Sequence, residues 1–347
     1  MSAAPRVLFV ADAGRAVGGG HVMRCLTLAD ALVRAGAACA FAASPEAAEI
    51  LDAFGGPEIR RFGAPSGDPS ALCAFAAEVA RTWGARIVVI DHYGAGPLED
   101  AVLRAAAGRL LAMEDLGHRR VCDLLLDSGL GRDADDYPAI DALIGPAFAL
   151  VRPGFAKARS AALARRRGGG AATSILISLG LTDVGGITER VVEAVLPVLG
   201  ERRLEVALGA GARSLGAVTA LAAHDSRVRP HVDTRDMEAL IAAADLVIGA
   251  GGSSAWERCV LGAPSVALIL ADNQRTNTLA LAAAGAALAL ELNGELTRRL
   301  REAFLSIVGD EALRARMSQA AAGLCDGLGA ERVAARMLAS MRGAGAS

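Results

Sequence analysis

The sequence predicts an α/β protein made of two doubly wound, Rossmann-like domains that face each other across a cleft. Three observations predict it: short continuous apolar runs recur along the chain, a turn and a helical pattern follow each run, and the strand–helix order restarts at Ser174 after an Arg- and Gly-rich stretch. Runs buried on both faces and separated by helices mark parallel rather than antiparallel sheets. With 347 residues the chain can supply two domains, each with its own core.

Taken in order, the runs of the first half are Val7–Val10, Ile87–Ile90, Leu110–Met113 and Leu124–Leu126. From His21 to Arg34 a helical stripe passes through Val22, Leu26, Ala29 and Val33. The stretch 151–173 holds Arg-Arg-Arg-Gly-Gly-Gly and no strand pattern, which predicts a mobile linker with its arginines in solvent. In the second half the runs are Ile175–Leu179, Leu204–Leu208, Leu246–Ile248 and Val266–Leu270. The domains are therefore expected at 1–150 and 174–347, with the last helix a candidate to pack back on the first domain.

Composition narrows the function. Hydrophobic residues make up 53% and charged residues 21%, and the net charge is −2, which offers no basic field to nucleic acid or anionic lipid. Aromatics at 3% leave little for base stacking. No apolar run reaches the roughly 18 residues of a membrane span, and Met1–Pro5 carries no charged leader region, so a cytoplasmic protein is expected. Six cysteines without a C-x-x-C pair read as small core residues. Asp133-x-Asp135-Asp136, beside Tyr137-Pro138, reads as a solvated turn rather than a metal motif. Neither a metal nor a cofactor is expected, and the oligomeric state stays open.

In doubly wound sheets ligands bind where strands end and helices begin. Five motifs fall there. Gly18-Gly19-Gly20-His21 follows the first strand; glycines let a backbone approach a ligand, and a neutral imidazole at a helix N-terminus can accept a proton. Asp91-His92-Tyr93-Gly94 ends the second run and suits either a turn or a site. In Ser178-Leu179-Gly180-Leu181-Thr182-Asp183, Gly180 permits a tight turn, while Thr182 and Asp183 either cap the next helix or touch substrate. Gly251-Gly252-Ser253-Ser254-Ala255-Trp256-Glu257 contains a capping box, Ser254-x-x-Glu257. A capping box does not need two glycines before it, which favours a diphosphate cradle with Glu257 on the ribose hydroxyls. Asn273-Gln274 offers amides to sugar hydroxyls, or plain caps.

In sequence order, "GGGHVMRCLTLA", "VIDHYG", "GPAFALVRPGF", "ISLGLTD", "GAGGSSAWERCVLGAPS" and "LADNQ" resemble the UDP-2,4-diacetamido-2,4,6-trideoxy-β-L-altropyranose hydrolases. Those enzymes supply the hexose precursor of pseudaminic acid, used on flagellin and other bacterial surfaces, and resemble the glycosyltransferase B fold. The resemblance runs from about Val7 to Gln274, with a weaker tail at "DGLGAERVA". It implies a UDP-sugar substrate, cleaved by water at C1 with inversion and without a metal. An inverting UDP-sugar-dependent glycosyltransferase of the same fold is the alternative. By the same resemblance His21 is the catalytic histidine and Tyr93 stands beside the sugar. Ser253, Ser254 and Glu257 match the UDP pocket, Asn273 and Gln274 a polar wall near the sugar, and Arg24 and Arg152 match motif arginines without an assigned role. Gly20, Gly180 and Gly252 accompany these residues as candidate substrate contacts. Three positions depart from the pattern: Val10 for an arginine, Leu181 for a glycine, and Glu114-Asp115 for an Asp-Asp pair.

Overall fold

The apolar runs become strands because each lies inside an all-parallel sheet, covered on both faces. The structure, a computed structural model, describes residues 4–14, 17–138 and 140–343. They divide into two units: residues up to Leu150 together with those from Leu328 onward, and Val151–Gly327.

The first unit runs β1 (Arg6–Ala11), α1 (Gly20–Arg34), β2 (Ala38–Ala43), α2 (Pro45–Phe54), β3 (Arg60–Gly63), α3 (Pro69–Trp83), β4 (Ile87–Asp91), α4 (Pro97–Ala107), β5 (Leu110–Met113), β6 (Leu124–Asp127) and β7 (Asp141–Ile144). Its seven strands pair in the order β3-β2-β1-β4-β5-β6-β7. β1 pairs in parallel with β2 and with β4, and the second pairing sets Ala11 opposite Asp91 at the carboxyl end. Val7 and Phe9 face α1, while Leu8 and Val10 face the side of α3 and α4. Val10, where an arginine is typical, is thus a fully buried core residue. Ser44 and Asp68 cap α2 and α3, each followed by a proline whose fixed φ suits a first helical turn.

The second unit runs α5 (Pro153–Arg167), β8 (Ser174–Ser178), α6 (Ile187–Val195), β9 (Arg203–Leu208), α7 (Leu215–His224), β10 (Val228–Val232), α8 (Met237–Ala243), β11 (Leu246–Ala250), α9 (Ser254–Val260), β12 (Ser265–Ile269), α10 (Arg275–Ala283), β13 (Leu288–Glu291), α11 (Leu296–Gly309) and α12 (Glu311–Leu324). Six parallel strands take the order β10-β9-β8-β11-β12-β13. Each sheet therefore reverses its winding once, at β1/β4 in the first and β8/β11 in the second, and such switch points are where doubly wound sheets open a crevice. The last helix, α13 (Gly329–Gly343), returns to the first unit and buries Ala330, Val333, Ala334 and Met337 in the core that also holds Val22 and Leu26.

The stretch 151–173 departs from the expected linker. Most of it is α5, and two of its arginines, Arg159 and Arg166, are structural. Arg166 donates to the carbonyls of Leu261, Ala244 and Ile241, each at 2.8 Å. Arg159 donates to those of Val260, Cys325 and Ala322. These carbonyls lie at the ends of α8, α9 and α12, where the last turn of a helix leaves acceptors without intrahelical partners. A cation there also meets the negative end of the helix dipole. Burial pulls the Arg166 pKa down to about 10, yet the guanidinium remains charged at neutral pH.

Replacing Arg166 with alanine is expected to lower the unfolding free energy by about 1.5–3 kcal/mol, the range for hydrogen bonds from a charged group. Urea denaturation reads this directly. A change within about 0.5 kcal/mol would return Arg166 to the class of solvated surface residues.

Candidate active site

In the first unit the chemistry gathers at the carboxyl ends of β1 and β4. After β1 the chain closes on itself through a bridge between Gly14 and Gly18, with Gly18 at φ 77, and α1 then opens at Gly20. His21 sits in the first turn of α1 and is 5% exposed. Its Nδ1 lies 2.7 Å from Oδ1 of Asp91, the last residue of β4, which is 1% exposed. One helical turn on, Arg24 reaches the same carboxylate with two nitrogens: Nε donates to Oδ2 and Nη2 to Oδ1, each at 2.5 Å. The spacing of three residues puts both side chains on one helix face.

Burial alone would favour the neutral acid at Asp91. The charge of Arg24 and the His21 ring outweigh it, and the carboxyl is held well below the usual range. An ionised carboxylate can only accept, so Nδ1 of His21 carries the proton and donates it. In the neutral ring Nε2 then carries the lone pair, the arrangement of a general base oriented by an acid. Sequence reasoning placed Asp91 in a motif without seeing this role; no single-sequence signal joins positions 21 and 91.

Tyr93 and Asp115 complete the set. The Tyr93 ring meets the His21 ring edge-on, with centroids 4.4 Å apart. Its hydroxyl donates to Oδ2 of Asp115 at 3.0 Å, and Nη1 of Arg24 reaches the same oxygen at 3.1 Å. The Glu114-Asp115 pair divides its tasks. Glu114 accepts from the N–H groups of Asp115 and Leu116 and so shapes the loop, while Asp115 faces Arg24. His92 is a turn brace: its Nδ1 accepts from the Gly94 N–H at 3.1 Å. The acidic loop forms a short 3₁₀ turn over Ala134–Asp136. Asp133, Asp135 and Asp136 are exposed, as a solvated turn requires, and Tyr137 beside them is buried and donates to Asp127. Among the described residues no group of three or more His, Cys, Asp or Glu could hold a metal ion.

In the second unit the motifs gather at the carboxyl ends of β8 and β11. Gly251 donates its N–H to the Leu268 carbonyl, and a Cβ there would stand 2.0 Å from Oγ1 of Thr278, so only glycine lets α10 pack this close. Among the described residues no hydrogen bond occupies the N–H groups of Gly252, Ser253 or Ser254. They form a short run of free donors. The expected capping box is absent, because α9 begins at Ser254 itself and Glu257 falls one position too late to reach back. Glu257 instead lies 3.8 Å from Nη2 of Arg152, which is also 3.9 Å from Glu238. Glu238, missed in the sequence, keeps a buried oxygen without a hydrogen bond. Burial pushes the Glu257 carboxyl up from its ordinary range, and Arg152 offsets that only in part.

Gln274 accepts from the Leu270 N–H through Oε1, and its amide nitrogen faces Gly252. Asn273 is half-buried on the same 3₁₀ turn. Gly180 takes φ 107 and carries the turn after β8, so Leu181, whose φ is negative, needs no glycine. Thr182 is half-buried. Asp183 is fully buried, with one oxygen accepting from Thr188 N–H and the other from Ser214 N–H. Each oxygen thus holds a backbone N–H near the start of α6 or α7, the structural one of the two roles expected for it.

Residues 187–333, less than half of the chain, match the Glycosyltransferase family 28 C-terminal domain. A relative from Sorangium cellulosum, UDP-N-acetylglucosamine--N-acetylmuramyl-(pentapeptide) pyrophosphoryl-undecaprenol N-acetylglucosamine transferase, is 39% identical over 37% of this chain and 32% of its own length. The spore coat polysaccharide biosynthesis protein SpsG of Bacillus subtilis is 28% identical over 55% of this chain and 56% of its own. The match thus spans about a third to a half of these relatives. The crystal structure of Acinetobacter baumannii MurG covers 96% of this chain and 98% of its own at a TM-score of 0.67, with 18% identity. Two parallel-sheet α/β domains of the glycosyltransferase B type are therefore the fold.

The raised Glu257 pKa has a signed consequence. An acid whose pKa is higher in the folded state adds stability below its ordinary value of 4.5, and that stability is lost as pH rises through the folded value. Glu257→Gln is thus expected to raise the melting temperature of the unliganded protein at pH 7, with the gain vanishing below about pH 4.5. A lower melting temperature at pH 7 would mean that the contact with Arg152 outweighs burial.

Proposed function

We propose that this chain is an inverting UDP-sugar-dependent glycosyltransferase, in which a hydroxyl of the acceptor attacks C1 of the sugar and UDP departs. The observation that carries this reading is the 2.7 Å contact of His21 Nδ1 with Asp91, which in the neutral ring places the lone pair on Nε2. Nε2 takes the proton of the attacking hydroxyl as its oxygen bonds to C1. The electron pair of the C1–O bond leaves with UDP, and the N–H groups of Gly252, Ser253 and Ser254 hold the diphosphate. Glu257 accepts the ribose hydroxyls, with Arg152 beside it. Asn273 and the amide nitrogen of Gln274 serve the sugar, as do Gly20, Gly180 and Thr182 from exposed or half-buried loop positions. Arg24 keeps Asp91 ionised, and Tyr93 packs against the base. In this reading the unit that holds the residues up to Leu150 supplies the base and Val151–Gly327 the nucleotide site.

The names of the relatives support transfer, and the family 28 match supports a nucleotide-sugar donor. Hydrolysis, with water in place of the acceptor, uses the same atoms, and the motif order around His21 and Tyr93 favours it. The relatives lend it no support, so transfer is the leading reading. The relative's name points to UDP-N-acetylglucosamine as donor. The motif resemblance points to a UDP-2,4-diacetamido-2,4,6-trideoxyhexose, and so to a step in pseudaminic acid formation. No described helix is long and apolar enough to cross a membrane.

Purified protein with each donor, assayed for UDP release with and without hydroxyl acceptors, separates these readings. Release that depends on acceptor, with the sugar recovered on it, is the expected outcome. Release in water alone, with oxygen-18 entering the sugar, would establish hydrolysis instead.

The base assignment has its own test. His21→Asn keeps a polar group without a base and is expected to lower kcat by roughly 10²–10⁴-fold, the range for loss of a general base. UDP affinity is expected to stay within about twofold, since no diphosphate contact is removed. Near-normal kcat with collapsed affinity would make His21 a binding residue.

A further inference from the structure

The loop that joins β5 to β6 carries Asp115, whose Oδ2 holds both the Tyr93 hydroxyl and Nη1 of Arg24. It has no regular structure, and its Gly117, His118 and Arg119 are exposed. Arg120 then turns back inward, with its side chain 3% exposed. Its fork meets Asp100, a fully buried residue in the first turn of α4: Nε donates to Oδ2 at 3.0 Å and Nη2 to Oδ1 at 2.7 Å. The same Oδ2 accepts from the Val121 N–H at 2.9 Å. The third nitrogen, Nη1, lies 3.7 Å from Oε2 of Glu114, which is also buried. Burial works against the Arg120 charge, but the bonds and charge of Asp100 and the charge of Glu114 outweigh it, so its pKa ends above the ordinary value.

From this buried triad the contacts continue to the site. The other oxygen of Glu114, Oε1, accepts from the N–H groups of Asp115 at 3.1 Å and Leu116 at 2.7 Å. The direction of the Glu114 side chain therefore sets the backbone from which Asp115 projects. Arg132 braces the same residue from the loop after β6, donating from Nη2 to the Asp115 carbonyl at 3.4 Å. A continuous series of polar contacts thus runs from Asp100 through Arg120, Glu114 and Asp115 to Tyr93, whose ring meets His21 edge-on. Stability alone does not call for such a series. Apolar residues of similar volume often replace a buried ion triad with no loss, or with a gain. What a two-pronged guanidinium–carboxylate pair adds over apolar packing is a fixed direction.

We propose that Arg120 is a positioning residue: the Asp100–Arg120–Glu114 triad orients the loop so that Asp115 holds Tyr93 against His21. Its bearing on turnover rests on the reading of His21 as the base. Arg120 touches neither His21 nor Tyr93 and acts only through Glu114 and Asp115. It therefore governs how well the base is aligned, and with it turnover, more than the affinity for a ligand.

The chain has two tyrosines, Tyr93 and Tyr137, so labelling the whole protein with fluorotyrosine gives two fluorine NMR signals, which Tyr93→Phe identifies. Asp115→Ala marks where the Tyr93 signal lies without its carboxylate partner. Arg120→Lys keeps the charge without the fork. The double variant Arg120→Met, Asp100→Asn removes both charges of the pair, so that neither is left buried alone. In both, the Tyr93 signal is expected to move toward its Asp115→Ala position while the Tyr137 signal stays. The kcat for UDP release is expected to fall by about ten- to a hundredfold, the size of a misplaced catalytic set, with KM within about threefold. An unmoved Tyr93 signal in a folded variant overturns the inference, whatever its melting temperature, and so does a moved signal with unchanged kcat. If Arg120→Lys does not fold, the double variant decides by the same signals. A wild type that releases no UDP from any UDP-sugar defeats the reading of the site as a transferase, and the Tyr93 signal alone then decides on Arg120.

Discussion

The buried carboxylate of Asp91 is the interaction on which the first half of the molecule turns. It closes β4 at the switch point of the sheet, 1% exposed, and two groups from one face of α1 satisfy it. Arg24 fixes its charge, and that charge fixes which nitrogen of His21 is protonated. Remove the carboxylate and the imidazole loses its orientation, while Arg24 keeps only its contact with Asp115. The local device costs nothing extra in fold design, since both α1 and β4 are already placed by the β1–β2 and β1–β4 pairings. Chemistry here is a consequence of where a parallel sheet reverses its winding.

The second half solves the inverse problem. Where the first buries an anion, the second buries the cation Arg258, which donates to the Ala250 carbonyl and the Ser254 hydroxyl and has the charge of Glu257 nearby. Around it the loop carries free N–H groups and glycines that each make room for a specific neighbour. Arg159 and Arg166 show that buried arginines here are not rare, but those two are answered by helix-terminal carbonyls. Arg258 differs in retaining an unbonded nitrogen.

Much of this was legible in the sequence, and the misses have physical causes. The eight apolar runs became β1, β4, β5, β6, β8, β9, β11 and β12. Of the five strands without a recognised run, β3, β7, β10 and β13 are the sheet edges, where one side meets solvent and sequences such as Arg60-Arg61 or Arg229-Pro230 suffice. The fifth, β2, is an interior strand written mostly in alanine, which carries no strand preference of its own. Arg166 and Arg258 were invisible because charge predicts solvent until the fold supplies carbonyls or a cradle. Asp183 was read both ways, and its two bonds to backbone N–H groups are those of a cap. Asp91, Tyr93 and His21 were each found at strand or helix ends, but their joining required the pairing of β1 with β4.

The central claim is that Asp91 fixes the His21 tautomer so that Nε2 is the free base. Long-range proton–nitrogen NMR on protein labelled with nitrogen-15 histidine reads this directly, with the His21 signals identified by their loss in a His21 variant. The account predicts that neutral His21 carries its proton on Nδ1, with Nε2 showing the shift of an unprotonated ring nitrogen. A proton on Nε2 in the neutral ring, with Nδ1 bare toward Asp91, would contradict it.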